Sequence, residues 1–421
     1  MAVLLLFTLF LAIGVPIAIA TGFSALLFMH FEAGRSYGAI IQAMFSGVDS
    51  FALMAIPFFI FAADIMLEGG VSRRLITFAK RLVGWTAGGL PITGVLSSMF
   101  FAALSGSAPA TVAAVGGIMI PSMLDAKYTK RFAVGLMCAS GSLGIIIPPS
   151  ITLLVYGVVA EESIAALFLA GLVPGIFIGL VLIAAAYIYA RSQPYVRDPF
   201  PTFREVVVAF RDALWGLAMP LIILGGIYLG VFTPTEAAAV AVGYSLFVSL
   251  FIYREVTFHE VITKIAAKSV VISAVIMFII ANAELLSRYL TFRRVPAQLA
   301  ALILEYAATP VALLLWINVL LLLVGMIMNP SAAVIILAPL FLPAVTAMGI
   351  DPIHFGVIMV VNLAIGMVTP PFGLNLYVAA GIGKMTVSEV TRAVFPFILI
   401  FLVTLLVITF VPSLSLAILG R

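Results

Sequence analysis

Charged side chains are scarce in this 421-residue chain: Asp, Glu, Lys and Arg make up 9% of it, against 64% hydrophobic residues. A soluble domain carries about 25% charged residues, so a water-soluble globular protein is excluded. At about 20 apolar residues per crossing, the hydrophobic content suffices for roughly a dozen transmembrane passes. Polar stretches are too short for a separate nucleotide-binding domain, which excludes ATP-driven transport by this chain alone.

Metal-binding and redox side chains are also few. The single cysteine, Cys138, lies in an apolar run, which excludes disulfides and thiolate metal sites. The three histidines, His30, His259 and His354, form no HExxH pair. We therefore expect no enzyme, no catalytic residue and no cofactor. The net charge of +4 is spread over many loops, a pattern typical of membrane orientation signals, and we expect no nucleic acid partner.

Long apolar runs predict an all-α polytopic membrane protein with nine crossings. The predicted crossings are 3–29, 51–68, 132–159, 163–190, 214–231, 236–253, 268–284, 355–383 and 393–412. Two further segments, 88–124 and 310–345, are each split by a polar, proline-containing tip, so we expect re-entrant helical hairpins. The first crossing lacks the features of a cleaved signal peptide, and we expect it to be retained.

The basic residues predict the orientation of the chain. If segment 70–84 is cytoplasmic, the crossings place 16 of the 21 Lys and Arg residues on the cytoplasmic side, as the positive-inside rule requires. The exceptions are Arg35, Arg288, Arg293, Arg294 and Arg421. We therefore expect a cytoplasmic N-terminus and a C-terminus on the outer, periplasmic side.

Glycines and prolines recur at one constant spacing in the two halves of the chain. The matching positions are Gly144 with Gly366, Pro148–Pro149 with Pro370–Pro371, and Pro174 with Pro396. Pro109 and Pro330, in the two hairpin tips, are one residue closer together. Because the crossings orient the halves oppositely, this pattern predicts inverted-topology repeats. Such repeats with paired discontinuous helices are typical of secondary transporters, which bind their cargo where the breaks meet.

The repeat predicts how the chain is divided. The first repeat, 1–213, comprises scaffold helices 3–68, an arm 70–84, hairpin 88–124, broken helix 132–159, helix 163–190 and a cytoplasmic linker 191–213. A connecting helix occupies 214–235. The second, inverted repeat, 236–421, comprises scaffold helices 236–284, an arm 285–295, hairpin 310–345, broken helix 355–383 and helix 393–412. The arms mix apolar residues with arginines, as helices lying in the membrane interface do; alternatively, they are loops.

The hairpin tips and helix breaks carry the candidate ligands. Ser107 and Asn329 precede the returning hairpin helices and are expected to cap them, leaving N–H groups that favour an anion. Prolines in the breaks leave carbonyl groups unpaired, and these oxygens suit sodium. The predicted sodium-binding residues are Ser105, Ser107, Gly141, Gly144, Asn329, Ser331, Gly366 and Thr369. The predicted substrate-binding residues are Ala108, Thr111, Pro148, Ser150, Pro330, Pro371 and Asn375. Alternatively, the small residues only let the helices approach closely.

Two acidic residues have different explanations. Asp64 lies in the apolar run 58–66, and an acid inside a membrane generally has a functional role. Its nearness to Glu68 and Arg73 leaves open a structural role at the interface. Glu236 belongs to the sequence Thr-Pro-Thr-Glu, in which Thr233 caps a helix, proline takes its first position and glutamate its third. We therefore interpret Glu236 as part of a capping box.

Four segments together carry a family resemblance: SGSAPAT, GIIIPPS, TPTEA and GMVTPPFGLN. The chain resembles the large membrane subunit, of the DctM type, of the tripartite ATP-independent periplasmic (TRAP) transporters. The resemblance covers essentially the full chain. It implies a bacterial inner-membrane, sodium-coupled importer in which hairpins and broken helices move as an elevator against a scaffold. The implied partners are a small four-helix membrane subunit of the Q type and a periplasmic substrate-binding protein. The implied cargo is a carboxylate, such as a C4-dicarboxylate or a sialic acid. Because no apolar segment precedes residue 3, we expect the small subunit to be a separate chain.

Three other functions are possible for such a sequence. A stand-alone sodium/carboxylate symporter would share the architecture but need no binding protein. A membrane serine protease using Ser105 or Ser140 would need a nearby base, and no histidine lies in the centre of an apolar segment. A channel is disfavoured because duplicated closed hairpins suit alternating access rather than an open pore.

Overall fold

The protein is described by a computed structural model that covers residues 2–191, 198–298, 301 and 309–421, and regular secondary structure in these ranges is helical. The first half contains α1 (Ala2–Ala12), α2 (Ile17–Phe31), α3 (Tyr37–Val48), α4 (Phe51–Glu68), α5 (Val71–Val83), α6 (Gly89–Ser105), α7 (Ala108–Asp125), α8 (Lys130–Gly141), α9 (Ile151–Val159) and α10 (Ile164–Arg191). The second half contains α11 (Phe203–Tyr228), α12 (Pro234–Ile252), α13 (Phe258–Phe292), α14 (Pro310–Gly325), α15 (Pro330–Ala347), α16 (Pro352–Gly366), α17 (Leu374–Gly383), α18 (Val387–Phe410) and α19 (Ser413–Leu416).

Eight of the described helices are long and apolar enough to cross a membrane: α4, α7, α10, α11, α12, α13, α15 and α18. The prediction of an all-α polytopic membrane protein is therefore confirmed. The figure differs from nine because three predicted crossings, 3–29, 132–159 and 355–383, are each divided into two shorter helices. The eight also include α7 and α15, which are the returning helices of the predicted hairpins.

The first predicted crossing, 3–29, requires a correction. The structure divides it into α1 and α2, with Gly14 in the left-handed region at φ +83° and Pro16 preceding α2. The reason is local, since proline offers no N–H to the preceding turn and restricts the residue before it. The helix α3, which the crossings did not predict, follows Ser36, whose side chain accepts a hydrogen bond from the Ala39 N–H.

The two predicted arms differ in the structure. In the first half, α4 ends at the glycine pair 69–70, where Gly70 has φ +75°, and α5 begins at the next residue as a separate amphipathic helix. In the second half, most of the predicted arm 285–295 continues α13, which ends at Phe292. This correction has a simple cause: no glycine or proline interrupts the sequence between Ala267 and Phe292, so the helix propagates.

The predicted cytoplasmic linker 191–213 also contains more helix than expected. Residues 192–197 lie outside the described residues, but α11 begins at Phe203, so its helix covers half of the linker and most of the predicted connecting helix 214–235. The start of α11 is fixed by a capping box, in which Thr202 and Glu205 satisfy each other's backbone N–H groups.

Most of the long helices form two groups. One group contains α2, α4, α12 and α13, with α13 packed against α2 and α12 against α4. The other contains both hairpins, the divided helices and α18; α8 packs against α18, α14 against α16, and α9 against α15. The helix α5 contacts both α6 and α11, and its Arg74 forms a 3.0 Å ion pair with Glu255. Because Glu255 lies between α12 and α13, α5 connects the first hairpin to the group of α2, α4, α12 and α13, which we call the scaffold group.

Candidate functional site

The tip of the first hairpin is a compact cluster of hydroxyl and carbonyl oxygens. Ser105 Oγ lies 3.0 Å from Thr111 Oγ1, and Thr111 Oγ1 donates to the Ser107 carbonyl at 2.9 Å. Ser107 occupies the N-cap position of α7, but its side chain makes no capping bond. That capping expectation was wrong: Pro109 at the second helical position has no N–H to donate, and the hydroxyl does not accept the Ala110 N–H at the third. The Ser107 hydroxyl is therefore left for another partner.

The first helix break packs directly against this tip. A Cβ atom at Gly144 would overlap the Ser107 carbonyl oxygen and Thr111 Oγ1, and one at Gly141 would overlap Val112. Glycine at these positions thus permits close approach, as the structural alternative predicts. The same approach brings the polar atoms of the tip against the end of α8, so the structural explanation and a ligand-binding one are compatible.

The tip of the second hairpin follows the expected pattern. Asn329 caps α15, and its side-chain oxygen accepts the Ser331 N–H at 3.0 Å. This capping prediction is confirmed. Behind the tip, a Cβ atom at Gly366 would overlap the backbone of Gly325, and Thr369 Oγ1 donates to the Ile365 carbonyl at 2.7 Å. The end of α14 therefore meets the second break at backbone distance, as the first tip meets the first break.

Both hairpin tips open into one cavity of about 540 Å³. Ser107 and Pro109 line it from the first hairpin, and Asn329, Pro330 and Ser331 from the second. The opposite wall is one face of the scaffold helix α13: Lys268, Val271, Ile272, Val275, Ile276 and Ile279. A mostly apolar cavity with a few convergent polar groups is the usual form of a small-molecule site.

Asp64 lies at the edge of this cavity and is only 8% exposed. Lys268 Nζ lies 2.8 Å from its Oδ1, and Ser269 Oγ donates to its Oδ2 at 2.7 Å. Asp64 therefore has a structural partner on α13 and also borders the cavity, while its functional role stays a prediction. In the sequence, Lys268 is only one of the positive charges that predict orientation; its place at the start of an apolar crossing was the available signal for a role at the cavity.

The structure separates the predicted ligands into three sets. The cavity is lined by Asp64, Ser107, Asn329, Pro330 and Ser331. The packed contacts between tips and breaks contain Ser105, Ala108, Thr111, Gly141, Gly144, Gly366 and Thr369. The remaining predicted substrate ligands, which do not line the cavity, are Pro148, Ser150, Pro371 and Asn375.

Asn375 and Ser150 form hydrogen bonds with other residues of the chain. The fully buried Asn375 donates from Nδ2 to Ser142 Oγ at 3.2 Å and to the Cys138 carbonyl at 3.4 Å. It therefore joins the second break to the first. Ser150 caps α9 by accepting the Leu153 N–H. These residues shape the breaks because each begins a helix, where a short polar side chain satisfies nearby backbone or side-chain groups.

Comparison with known proteins identifies the family. Residues 4–414 match the model of the tripartite ATP-independent periplasmic transporter, DctM component. The chain belongs to this family. It is a family of transporters and not of enzymes, which confirms the resemblance recognised in the sequence segments around both hairpins and breaks.

Several curated relatives are similar over nearly their full length. The C4-dicarboxylate TRAP transporter large permease proteins DctM of Vibrio cholerae and Pseudomonas aeruginosa are 44% and 46% identical to this chain. The alignments cover 99% of this chain and 97% of the first relative, and 94% and 92% for the second. The sialic acid TRAP transporter large permease protein SiaM of Vibrio cholerae is 36% identical over 96% of this chain and 94% of its own length.

A solved structure shares the fold. The YdaH transporter of Alcanivorax borkumensis superimposes with a TM-score of 0.65 at 15% identity, covering 97% of both chains. At this identity the likeness concerns the fold alone. The chain is thus a TRAP large permease with the helical architecture of a multi-pass membrane transporter.

Proposed function

We propose that this permease imports an organic acid anion, of the C4-dicarboxylate or sialic acid type, by sodium-coupled secondary transport. The observation that carries the proposal is the cavity in which both hairpin tips meet the scaffold helix α13. Two helix starts face this cavity, and helix N-termini favour anions. The relatives named above carry the names of carboxylate cargoes, which agrees with that preference.

Sodium binds, in this proposal, behind the two tips. The first set of oxygens comprises Ser105 Oγ, Thr111 Oγ1 and the Ser107 carbonyl, which lie close together next to Gly144. The second lies where the Gly325 backbone meets Gly366, and its hydroxyl is that of Thr369, whose N–H donates to the Gly366 carbonyl. Carbonyl and hydroxyl oxygens at helix ends are the ligands that transporters use for sodium. Cation binding there would stabilise each tip against its break and so link sodium to the shape of the cavity.

The movement proposed is that of an elevator. The hairpins and broken helices would carry the anion past α13, which stays with the scaffold group, and the two inverted repeats would exchange roles between the outward and inward states. The cavity supports this proposal because its two walls belong to different helix groups. The N-terminus would be cytoplasmic and the C-terminus periplasmic, in a bacterial inner membrane.

The partners proposed are a small four-helix membrane subunit and a periplasmic substrate-binding protein. Family membership supports this, because the matching family is the DctM component of a tripartite system. The binding protein would deliver the anion to the outer face, and the small subunit would enlarge the scaffold within the bilayer.

Uptake into proteoliposomes tests the proposal. Labelled succinate or sialic acid is offered with and without an inward sodium gradient, a small subunit and a cognate binding protein. We expect uptake only when all three are present. Sodium-driven uptake by this chain alone would favour the stand-alone symporter, and uptake that is indifferent to sodium would contradict the coupling.

A further inference from the structure

The cavity contains one ion pair, and the scaffold supplies both of its members. Lys268 lies on α13 and Asp64 on α4, and the other described residues that line the cavity carry no charge. Removing an ion pair from water has a desolvation cost that hydrophobic packing would avoid. An ion pair at the edge of a mostly apolar and otherwise uncharged cavity is therefore a candidate for a role beyond stability.

The two partners are held unequally. The Asp64 side chain is 11% exposed and that of Lys268 is 48% exposed. Asp64 keeps a second hydrogen bond, from Ser269 Oγ to Oδ2. Among the described residues, the Lys268 ammonium donates only to Asp64. Because the ammonium sits on a flexible four-carbon stem, it can exchange partners while Asp64 stays fixed.

We propose that Lys268 is the cation that recognises the carboxylate of the cargo, and that Asp64 is its built-in competitor. This inference rests on the proposed function and adds a specificity-determining residue to it. An incoming carboxylate replaces Asp64 on the Lys268 ammonium, while Asp64 retains its bond to Ser269. In the empty cavity the lysine is neutralised, so only a ligand with its own negative charge gains by breaking the pair.

The position of the pair assigns it a place in the transport cycle. The lining residues of α13 recur every three or four positions from Lys268 to Ile279, a stripe of about 16 Å at 1.5 Å per residue. Lys268 stands at its N-terminal end, which is the cytoplasmic end in the proposed orientation. Since Lys268 stays with the scaffold, the cargo meets it only when the hairpins bring the anion to that end. Asp64 then restores the pair as the anion leaves.

If the cargo carboxylate replaces Asp64 on Lys268, substitutions of Lys268 and of Asp64 should change the KM in opposite directions. Lys268→Gln removes the recognising charge and should raise the KM for a carboxylate by about tenfold or more. Asp64→Asn removes the competitor and should lower the KM. Its kcat should also be lower, because no Asp64 carboxylate then takes the place of the leaving anion on Lys268. The double variant should behave like Lys268→Gln. If the ion pair only stabilised the fold, the KM of both single variants would shift in the same direction.

The test uses the complete transporter, with its small subunit and binding protein, in proteoliposomes loaded for sodium-driven uptake of succinate, malate or N-acetylneuraminate. The matched control is Lys264→Gln, one helical turn before Lys268 and not part of the cavity lining; it should leave the KM unchanged. Melting of each purified variant shows whether it is folded. Equal or same-direction KM shifts in the two single variants overturn the inference and leave the proposed function standing.

A second measurement uses the unmodified protein and does not depend on the variants folding. A water-soluble amine-reactive ester labels accessible lysines, and peptide mass spectrometry reports the labelling of Lys268. Succinate should slow labelling at Lys268 severalfold, whereas neutral succinamide should not, and Lys264 should be unaffected by either. Equal labelling of Lys268 with and without succinate overturns the inference. If the unmodified transporter takes up none of the three carboxylates, the proposed function itself fails, and the inference with it.

Discussion

Single residues decide how closely the first hairpin tip approaches the first break. Gly144 has no room for a methyl group, because the Ser107 carbonyl and Thr111 Oγ1 occupy that space. Overpacking of this kind typically costs about 1–3 kcal/mol. We therefore expect Gly144→Ala to lower sodium-driven uptake by about tenfold. Gly243→Ala is the control, since nothing lies within 4 Å of that position; equal loss in both variants would contradict the account.

A hydroxyl group at the same tip tests the sodium proposal. Thr111→Val keeps the shape of the side chain but removes Oγ1, a member of the first oxygen cluster. A lost hydrogen-bonding ligand typically costs about 1 kcal/mol, so the sodium concentration for half-maximal uptake should rise about fivefold, and Thr111→Ser should restore it. Thr93→Val is the control, because Thr93 is equally buried in α6 but donates to the Gly89 carbonyl away from the tip. An unchanged sodium dependence in Thr111→Val would argue against this ligand.

At the scale of elements, two effects at the start of α15 can be separated: the capping bond of Asn329 and the electrostatic attraction of this helix start for an anion in the cavity. Asn329→Ala removes the cap, which typically costs about 1 kcal/mol, so the protein should melt at a lower temperature. Asn329→Asp keeps a capping oxygen but adds a negative charge to the cavity lining. We expect it to melt like the wild type and to raise the KM for a carboxylate. A normal KM in Asn329→Asp would show that the cargo does not approach this helix start.

Helix starts could be predicted where the sequence carries a local signal. The capping box of Glu236 is confirmed, since its Oε2 accepts the Thr233 N–H at 2.8 Å. The same Thr-x-x-Glu pattern begins three other helices, at Thr202, Thr257 and Thr386, and could have been recognised in the same way. The end of α4 could also be predicted from the sequence, because two adjacent glycines follow it.

Long-range pairing could not be predicted in this way. Asp64 and Lys268 are 204 residues apart in the chain, and no local pattern joins them. The contact of Asn375 with Ser142 similarly depends on how the two breaks pack, and no local pattern in the sequence predicts it. Glycine spacing indicated which segments meet, but only packing decides which of their side chains face the cavity.

At the scale of the whole molecule, the proposed orientation can be tested by labelling. The only cysteine, Cys138, is fully buried, so Cys138→Ser gives a suitable background. A cysteine at Arg35 should react with a membrane-impermeant maleimide added outside intact cells, and one at Thr77 on α5 should react only after the cells are opened. Both residues are exposed in the structure. The reverse pattern would invert the topology and contradict the positive-inside assignment.

In the proposed mechanism the anion binds between the hairpin tips and α13, together with sodium. Protection of a cysteine at Val275, a cavity-lining residue that is 54% exposed, tests it most directly in the Cys138→Ser background. We predict that succinate with sodium slows maleimide labelling at this position at least severalfold, whereas succinate with potassium does not, and that a cysteine at Thr77 is unaffected. Labelling at Val275 that is equally fast with and without succinate and sodium would contradict the account.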